Sequence, residues 1–233
     1  MRETFVVRHR HLPHWDVPGG SYFVTTCLDG SIPAQGLLDL AKYVKELASR
    51  SRPEHVSPAE HERNLWKLHF ARMDGWLDRQ PASRHLENPA LAQLVVDSLF
   101  YFAGVRYDLF AYCVMPSHYH WVFRPIDAWV ASIDTLLGEK VRTARERIGH
   151  SVNTYTAGKC NGLLNRHGAF WQHESYDHWI RDADEFNRIM EYIEMNPVKA
   201  GLVARPEEWR FSSAFLRAQA KLPPGIPLMK PVG

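Results

Sequence analysis

Two histidines, His118 and His120, stand one residue apart in the segment Val114-Met115-Pro116-Ser117-His118-Tyr119-His120-Trp121-Val122-Phe123. The residues from His118 onward are rich in aromatic and β-branched types, which predicts a strand, and residues two apart on a strand leave the same face. Two imidazoles on one face at that spacing can hold one divalent metal. The spacing alone is not specific, because His9-Arg10-His11 repeats it in a polar segment without strand character. Nearer the C-terminus, Tyr192 and Asn196 are four apart on a predicted helix, beside an apolar stripe of Phe186, Ile189, Met190 and Ile193. A phenol with a pKa of about 10 is a weak nucleophile at neutral pH. A metal that polarises a phosphate under attack would offset this, and an asparagine amide oxygen suits the same hard cation. On the helix alone a second explanation stays open: Tyr192 as a packing tyrosine and Asn196 as the stop before Pro197.

Other patterns lead nowhere. His173-Glu174 and His178 resemble a zinc-protease HExxH motif, but the second histidine comes one residue late and would turn away by roughly 100° on a helix. There is neither a G-x-x-x-x-G-K-[ST] loop nor a glycine-rich dinucleotide loop.

The elements that must position these residues follow from periodicity and punctuation. Residues 1–20 read as an irregular, weakly basic arm ending at Pro18-Gly19-Gly20. Tyr22 to Leu28 reads as a strand closed by Asp29-Gly30. Leu37, Leu38, Ala41, Val44, Leu47 and Ala48 predict a helix, and Leu65, Leu68, Phe70, Met73, Trp76 and Leu77 a second, after Ser57-Pro58. Asn88-Pro89 caps a third. Arg106–Met115 and His118–Arg124 form an antiparallel hairpin about Pro116-Ser117. A long amphipathic helix is expected from Asp127 to Ile148, buried along Val130, Ile133, Leu137, Val141, Ala144 and Ile148, then a polar loop from His150 to Gly168. A strand at Ser175–Ile180 precedes the last clear helix, which opens at Asp182-x-x-Glu185 and stops at Asn196-Pro197. This order predicts an α+β fold, an antiparallel sheet flanked by helices.

Composition narrows the class. The chain has 233 residues, 45% hydrophobic and 23% charged, which suits one globular domain with room for an insertion. No run of 18 apolar residues and no signal-type block is present, so a cytoplasmic location is expected. Three separated cysteines (Cys27, Cys113, Cys160) form no disulfide framework. A net charge of +2 does not announce a nucleic-acid binder, so any such role rests on local patches.

The motifs together resemble a known family, the single-tyrosine HUH transposases, and among them the REP-associated tyrosine transposases. The likeness is carried by Tyr22-Phe23-Val24-Thr25-Thr26 after His11-Leu12-Pro13-His14-Trp15 and by Met115-Pro116-Ser117-His118-Tyr119-His120. It continues through Phe170-Trp171-Gln172 and Tyr176-Asp177-His178-Trp179-Ile180-Arg181. It ends in Tyr192-Ile193-Glu194-Met195-Asn196-Pro197-Val198-Lys199-Ala200-Gly201-Leu202-Val203. Ser117 replaces the family's usual asparagine, and Tyr119 an aliphatic residue. The likeness covers most of 9–30 and 88–215. Residues 34–87 do not match and read as a helical insertion, giving an arm (1–20), an HUH domain (21–215) and a Pro-rich tail (216–233).

The resemblance implies an HUH fold with His118, His120 and Asn196 as metal ligands, Tyr192 as nucleophile, and Mg²⁺ or Mn²⁺ as cofactor. Tyr176 is the rival nucleophile, but it lacks a polar partner one turn on. The implied activity is cleavage and rejoining of single-stranded, hairpin-forming repeat DNA through a 5′-phosphotyrosine link. Lys140 matches a lysine of the family's helix, and with Arg147 it shares a face of the predicted 127–148 helix; both are candidate DNA contacts. Arg10 of the arm is a candidate phosphate contact, and Trp15 a candidate for base stacking. Two other readings are weighed. A domesticated relative would bind hairpin nucleic acid without cutting it. A replication or mobilisation initiator would commonly carry a helicase domain, for which this length leaves no room.

Overall fold

The computed structural model describes residues 6–9, 13–133 and 142–229. Its centre is a four-stranded antiparallel sheet of Ser21–Cys27 (β3), Tyr107–Val114 (β4), His118–Pro125 (β5) and Tyr176–Ile180 (β6), in the order β4-β5-β3-β6. The expected fold class holds: helices flank this sheet on both faces. The register sets Thr25 opposite His120 and Cys27 opposite His118. Alternation then divides the two faces. Tyr119, Trp121 and Phe123 point to the layer of Pro89–Tyr101 (α3) and Ala144–Leu163 (α5), meeting Leu91, Leu99, Ile148 and Val152. His118, His120 and Val122 point the other way, to Ala183–Lys199 (α6) and Pro58–Arg79 (α2).

Several expectations are corrected. The arm contains an antiparallel pair, Val6–His9 (β1) with Pro13–Asp16 (β2), whose many polar residues hide its strand character. The long helix from 127 to 148 is instead a short helix at Asp127–Ser132 (α4), and α5 begins at Ala144. A capping box starts α5: Thr143 Oγ1 accepts from Glu146 N–H, and Glu146 Oε2 accepts from Thr143 N–H. The expected loop from His150 is therefore helix as far as Leu163. Ala34–Ala48 (α1) buries Leu40 and Leu47, whereas Leu37, Leu38 and Val44 are exposed. The expected boundary at 215 falls inside Ser213–Ala220 (α7), and the following segment packs back on the sheet edge, where Leu228 is buried and donates its N–H to Leu109 O. Among the described residues no helix is long and apolar enough to cross a membrane.

Charged side chains tie the layers together. Arg145 of α5, buried, pairs with Asp16 of β2 at 2.9 Å and Asp177 of β6 at 3.2 Å. Glu185 of α6, also buried, accepts from Lys67 of α2 at 2.7 Å and from Arg181, and meets His178 at 3.0 Å. Burial alone would raise the Glu185 carboxyl, but its bonds to His178, Arg181 and Lys67 outweigh this and hold it well below the usual carboxylate range. A depressed carboxyl stabilises the fold fully above its unfolded pKa of about 4.3 and loses that contribution as pH falls through the folded value. Glu185→Ala should therefore cost about 3 kcal/mol at pH 7, and the gap from wild type should narrow below about pH 4 in urea melts.

Candidate active site

The last helix brings the distant pairs together. Asp182 caps α6 by accepting from Glu185 N–H at 2.7 Å. The helix does not stop at Asn196 as expected: it runs through Pro197 to Lys199 and is released at Gly201, with φ +71°. A proline in the last turn forfeits one hydrogen bond without ending the helix. Asn196 thereby faces inward, wholly buried, with Nδ2 2.8 Å from His120 Nε2. One turn earlier, the Tyr192 ring lies 5.7 Å from the His120 ring, centroid to centroid.

The histidines are held from behind. Thr25 Oγ1 is 2.7 Å from His120 Nδ1, and Ser117 Oγ is 2.9 Å from His118 Nδ1. Ser117 also donates to Leu77 O, which leaves its oxygen to accept from His118 Nδ1–H. With both Nδ1 atoms engaged, the two Nε2 atoms converge 2.9 Å apart. Hydrogen-bonded Nδ1 with the Nε2 atoms turned to a common point is the arrangement that metal-ligating histidines use, and the Asn196 amide reaches the same point at His120. Burial pushes His118 down to about 3, and burial together with the charges of His118 and Lys199 pushes His120 well below its ordinary value, so both are neutral at pH 7. Tyr119 points to the opposite face, where its hydroxyl donates to Asn153, so it leaves the pair undisturbed.

Sequence reasoning missed the third side of the site. Asp74 and Asp78 of α2 face the histidines: Asp74 Oδ1 is 3.5 Å from His120 Nε2, and Asp78 Oδ1 is 3.9 Å from His118 Nε2. Tyr192 donates its hydroxyl proton to Asp74 Oδ2. Asp74, His118 and His120 form a buried set able to hold a metal ion. Burial raises Asp74 to about 6, partly offset by the Tyr192 hydrogen bond and Lys199. Burial and the neighbouring Asp74 raise Asp78 to about 8, and burial and Asp74 push Tyr192 far above its ordinary value. Phe70 of α2 closes the aromatic wall, stacking on Tyr176 at 4.1 Å and meeting Phe23, His120 and Tyr192. Lys199, also missed, holds its ammonium 4.5 Å from the Tyr192 ring centroid. The available signal was an acid inside an apolar stripe, since Asp74 falls on the same helical face as Phe70 and Leu77.

The donor set fits a divalent cation. Asp74 Oδ1, Asp78 Oδ1 and Asn196 Oδ1 are buried with no hydrogen-bond partner, and they surround two imidazole nitrogens. Buried polar atoms are normally paired, so this concentration of lone pairs points to a positive charge among them. The expected DNA contacts are not gathered here. Arg147 lies on α5, in the helix layer across the sheet from the histidines. Trp15 lies on β2 by its backbone, and Arg10 and Lys140 fall outside the described residues.

No family model matches the chain. A REP-associated tyrosine transposase of Escherichia coli K12 is 25% identical over 107 residues, 46% of this chain and 54% of that protein. A Haemophilus influenzae protein provisionally named for the same family is 25% identical over 126 residues, 51% of this chain and 65% of that one. The chain thus matches between half and two thirds of these relatives' own length. A solved structure of a REP-associated tyrosine transposase bound to a REP hairpin aligns over 100% of this chain and 92% of that one, with a TM-score of 0.48 and 16% identity. In sequence, this chain is a relative of the REP-associated tyrosine transposases.

Proposed function

We propose that the protein is a metal-dependent tyrosine endonuclease and strand transferase acting on single-stranded DNA of hairpin-forming repeats. The observation that carries this reading is the meeting of Tyr192 and Asn196, on one helix, with the Nε2 atoms of His118 and His120. The relatives' names supply the association with REP elements and transposition, and the family resemblance implies single-stranded, hairpin-forming DNA. His118, His120 and Asn196 would hold the cation, Mg²⁺ or Mn²⁺, with the buried Asp74 carboxylate beside them. A cation bound there supplies Lewis-acid polarisation of the scissile phosphate.

The chain's own groups perform the rest. Tyr192 Oη attacks the phosphorus, and its proton passes to Asp74 Oδ2, the atom it already bonds. The bond from phosphorus to the 3′ oxygen breaks, and that oxygen leaves as a 3′-OH after taking up a proton. The DNA stays joined to Tyr192 through a 5′-phosphotyrosine. The Lys199 ammonium over the ring favours negative charge on the phenol oxygen and the phosphate. Because the phosphoester link is conserved, a 3′-OH can attack it in reverse and join strands without a nucleotide cofactor.

The test is incubation with labelled single-stranded DNA containing a hairpin from the source genome, with MnCl₂ or MgCl₂. A covalent protein–DNA adduct resistant to denaturation is expected, and EDTA should prevent it. Tight hairpin binding without an adduct in either metal would leave the protein a binding module.

A further inference from the structure

The inserted segment is more than an accessory to the fold. Its second helix crosses the site side of the sheet and is fixed there at three points. Lys67 pairs with Glu185 of α6, Leu77 O accepts from Ser117 Oγ, and Phe70 stacks on Tyr176. So anchored, α2 aims Asp74 and Asp78, one turn apart, at the two histidines. Asp74 is 6% exposed, and its Oδ1 is buried without a hydrogen-bond partner, as is Asp78 Oδ1. Neither carboxylate has an arginine or lysine in ion-pair contact among the described residues; the groups facing them are the imidazoles, the Tyr192 hydroxyl and the more distant charges of Lys199 and, for Asp78, Arg79. Two carboxyl groups in such a place are both ionised only when a cation sits with them.

We infer that α2 completes the cation site: Asp74 is a direct ligand through Oδ1 while its Oδ2 fixes the Tyr192 hydroxyl, and Asp78 supplies the second negative charge that balances a divalent ion. The inference rests on the cation site proposed above and adds to it a role for the insertion. One carboxylate thereby spans metal and nucleophile, so that the phenol oxygen is held next to the bound ion. Oxygen-rich coordination of this kind selects Mn²⁺ and Mg²⁺ over softer metals.

The test is a calorimetric titration of the metal-free full-length protein with MnCl₂, with no DNA and no activity readout. Asp74→Asn, which keeps the shape, should weaken Mn²⁺ binding by at least about tenfold, and Asp78→Asn should also weaken it. Asp74→Leu removes the buried charge altogether and serves as the second variant if the amide is poorly tolerated. His120→Ala is the control for the site itself. If His120→Ala loses Mn²⁺ while the Asp74 and Asp78 variants bind it like wild type, the inference falls and the histidine site stands. If the wild-type protein takes up no Mn²⁺, both fall together.

Discussion

Tyr192→Phe should abolish the covalent protein–DNA adduct, by on the order of 10⁴-fold or more, since loss of a nucleophile leaves no alternative route to the linked intermediate. Two tyrosines line this face of the sheet, and geometry separates them. The Tyr192 ring meets His120 and its hydroxyl reaches Asp74. Tyr176 lies flat on Phe70 and edge-on to Phe23, buried as part of the aromatic wall. Tyr176→Phe keeps that stacking and should leave adduct formation within a fewfold of wild type. Tyr192→Phe also deprives Asp74 of a donor, at a cost of about 1–3 kcal/mol for a buried acceptor, so both variants need a thermal melt beside the adduct gel. An adduct that persists in folded Tyr192→Phe and disappears in Tyr176→Phe would assign the chemistry to the other tyrosine.

What the sequence made legible follows from how each element announces itself. The β4–β5 hairpin and the strand at β6 carry dense aromatic and β-branched runs, and the alternation on β5 is enough to put His118 and His120 on one face. The α6 stripe is equally plain, and its four-residue spacing puts Tyr192 and Asn196 side by side. Helix α5 was illegible for the opposite reason. Its inward positions are Arg145, Ile148, Val152, Thr156 and Cys160, a stripe at the right spacing but only partly apolar. Arg145 is buried because Asp16 and Asp177 pair with it, and Thr156 because its hydroxyl donates to Val152 O and accepts from Trp171 Nε1–H; Asp16, Asp177 and Trp171 all lie outside the helix and are not visible in local sequence. Asp74 and Asp78 escaped notice in the same way. An acid on an amphipathic helix ordinarily faces water, and only the tertiary fold turns these two onto the histidines. The segment that read as an addition to a complete domain therefore supplies two carboxyl groups that face the histidines, and one of them accepts the Tyr192 hydroxyl.

The second large effect concerns the cation itself. Without one, the fold brings two imidazole lone pairs within 2.9 Å and leaves three buried oxygens unpaired around them, an arrangement that subtracts from stability. A cation that binds this site in the folded chain and finds no such site in the unfolded one must raise the melting temperature. At a concentration about 100 times its dissociation constant the gain is about 2.7 kcal/mol. For a chain of this size that corresponds to roughly 5–10 °C. Thermal melts in MnCl₂ and in EDTA should differ by that amount for wild type and by nothing measurable for His120→Ala. The variant's own metal-free melting point should drop, because Thr25 and Asn196 lose a buried partner and a cavity opens beside Phe23. The comparison therefore turns on the metal-induced difference within each protein, not on the absolute melting temperatures. An equal rise in wild type and His120→Ala would mean that the stabilising ion binds elsewhere, and the histidine pair would lose its role as the metal site.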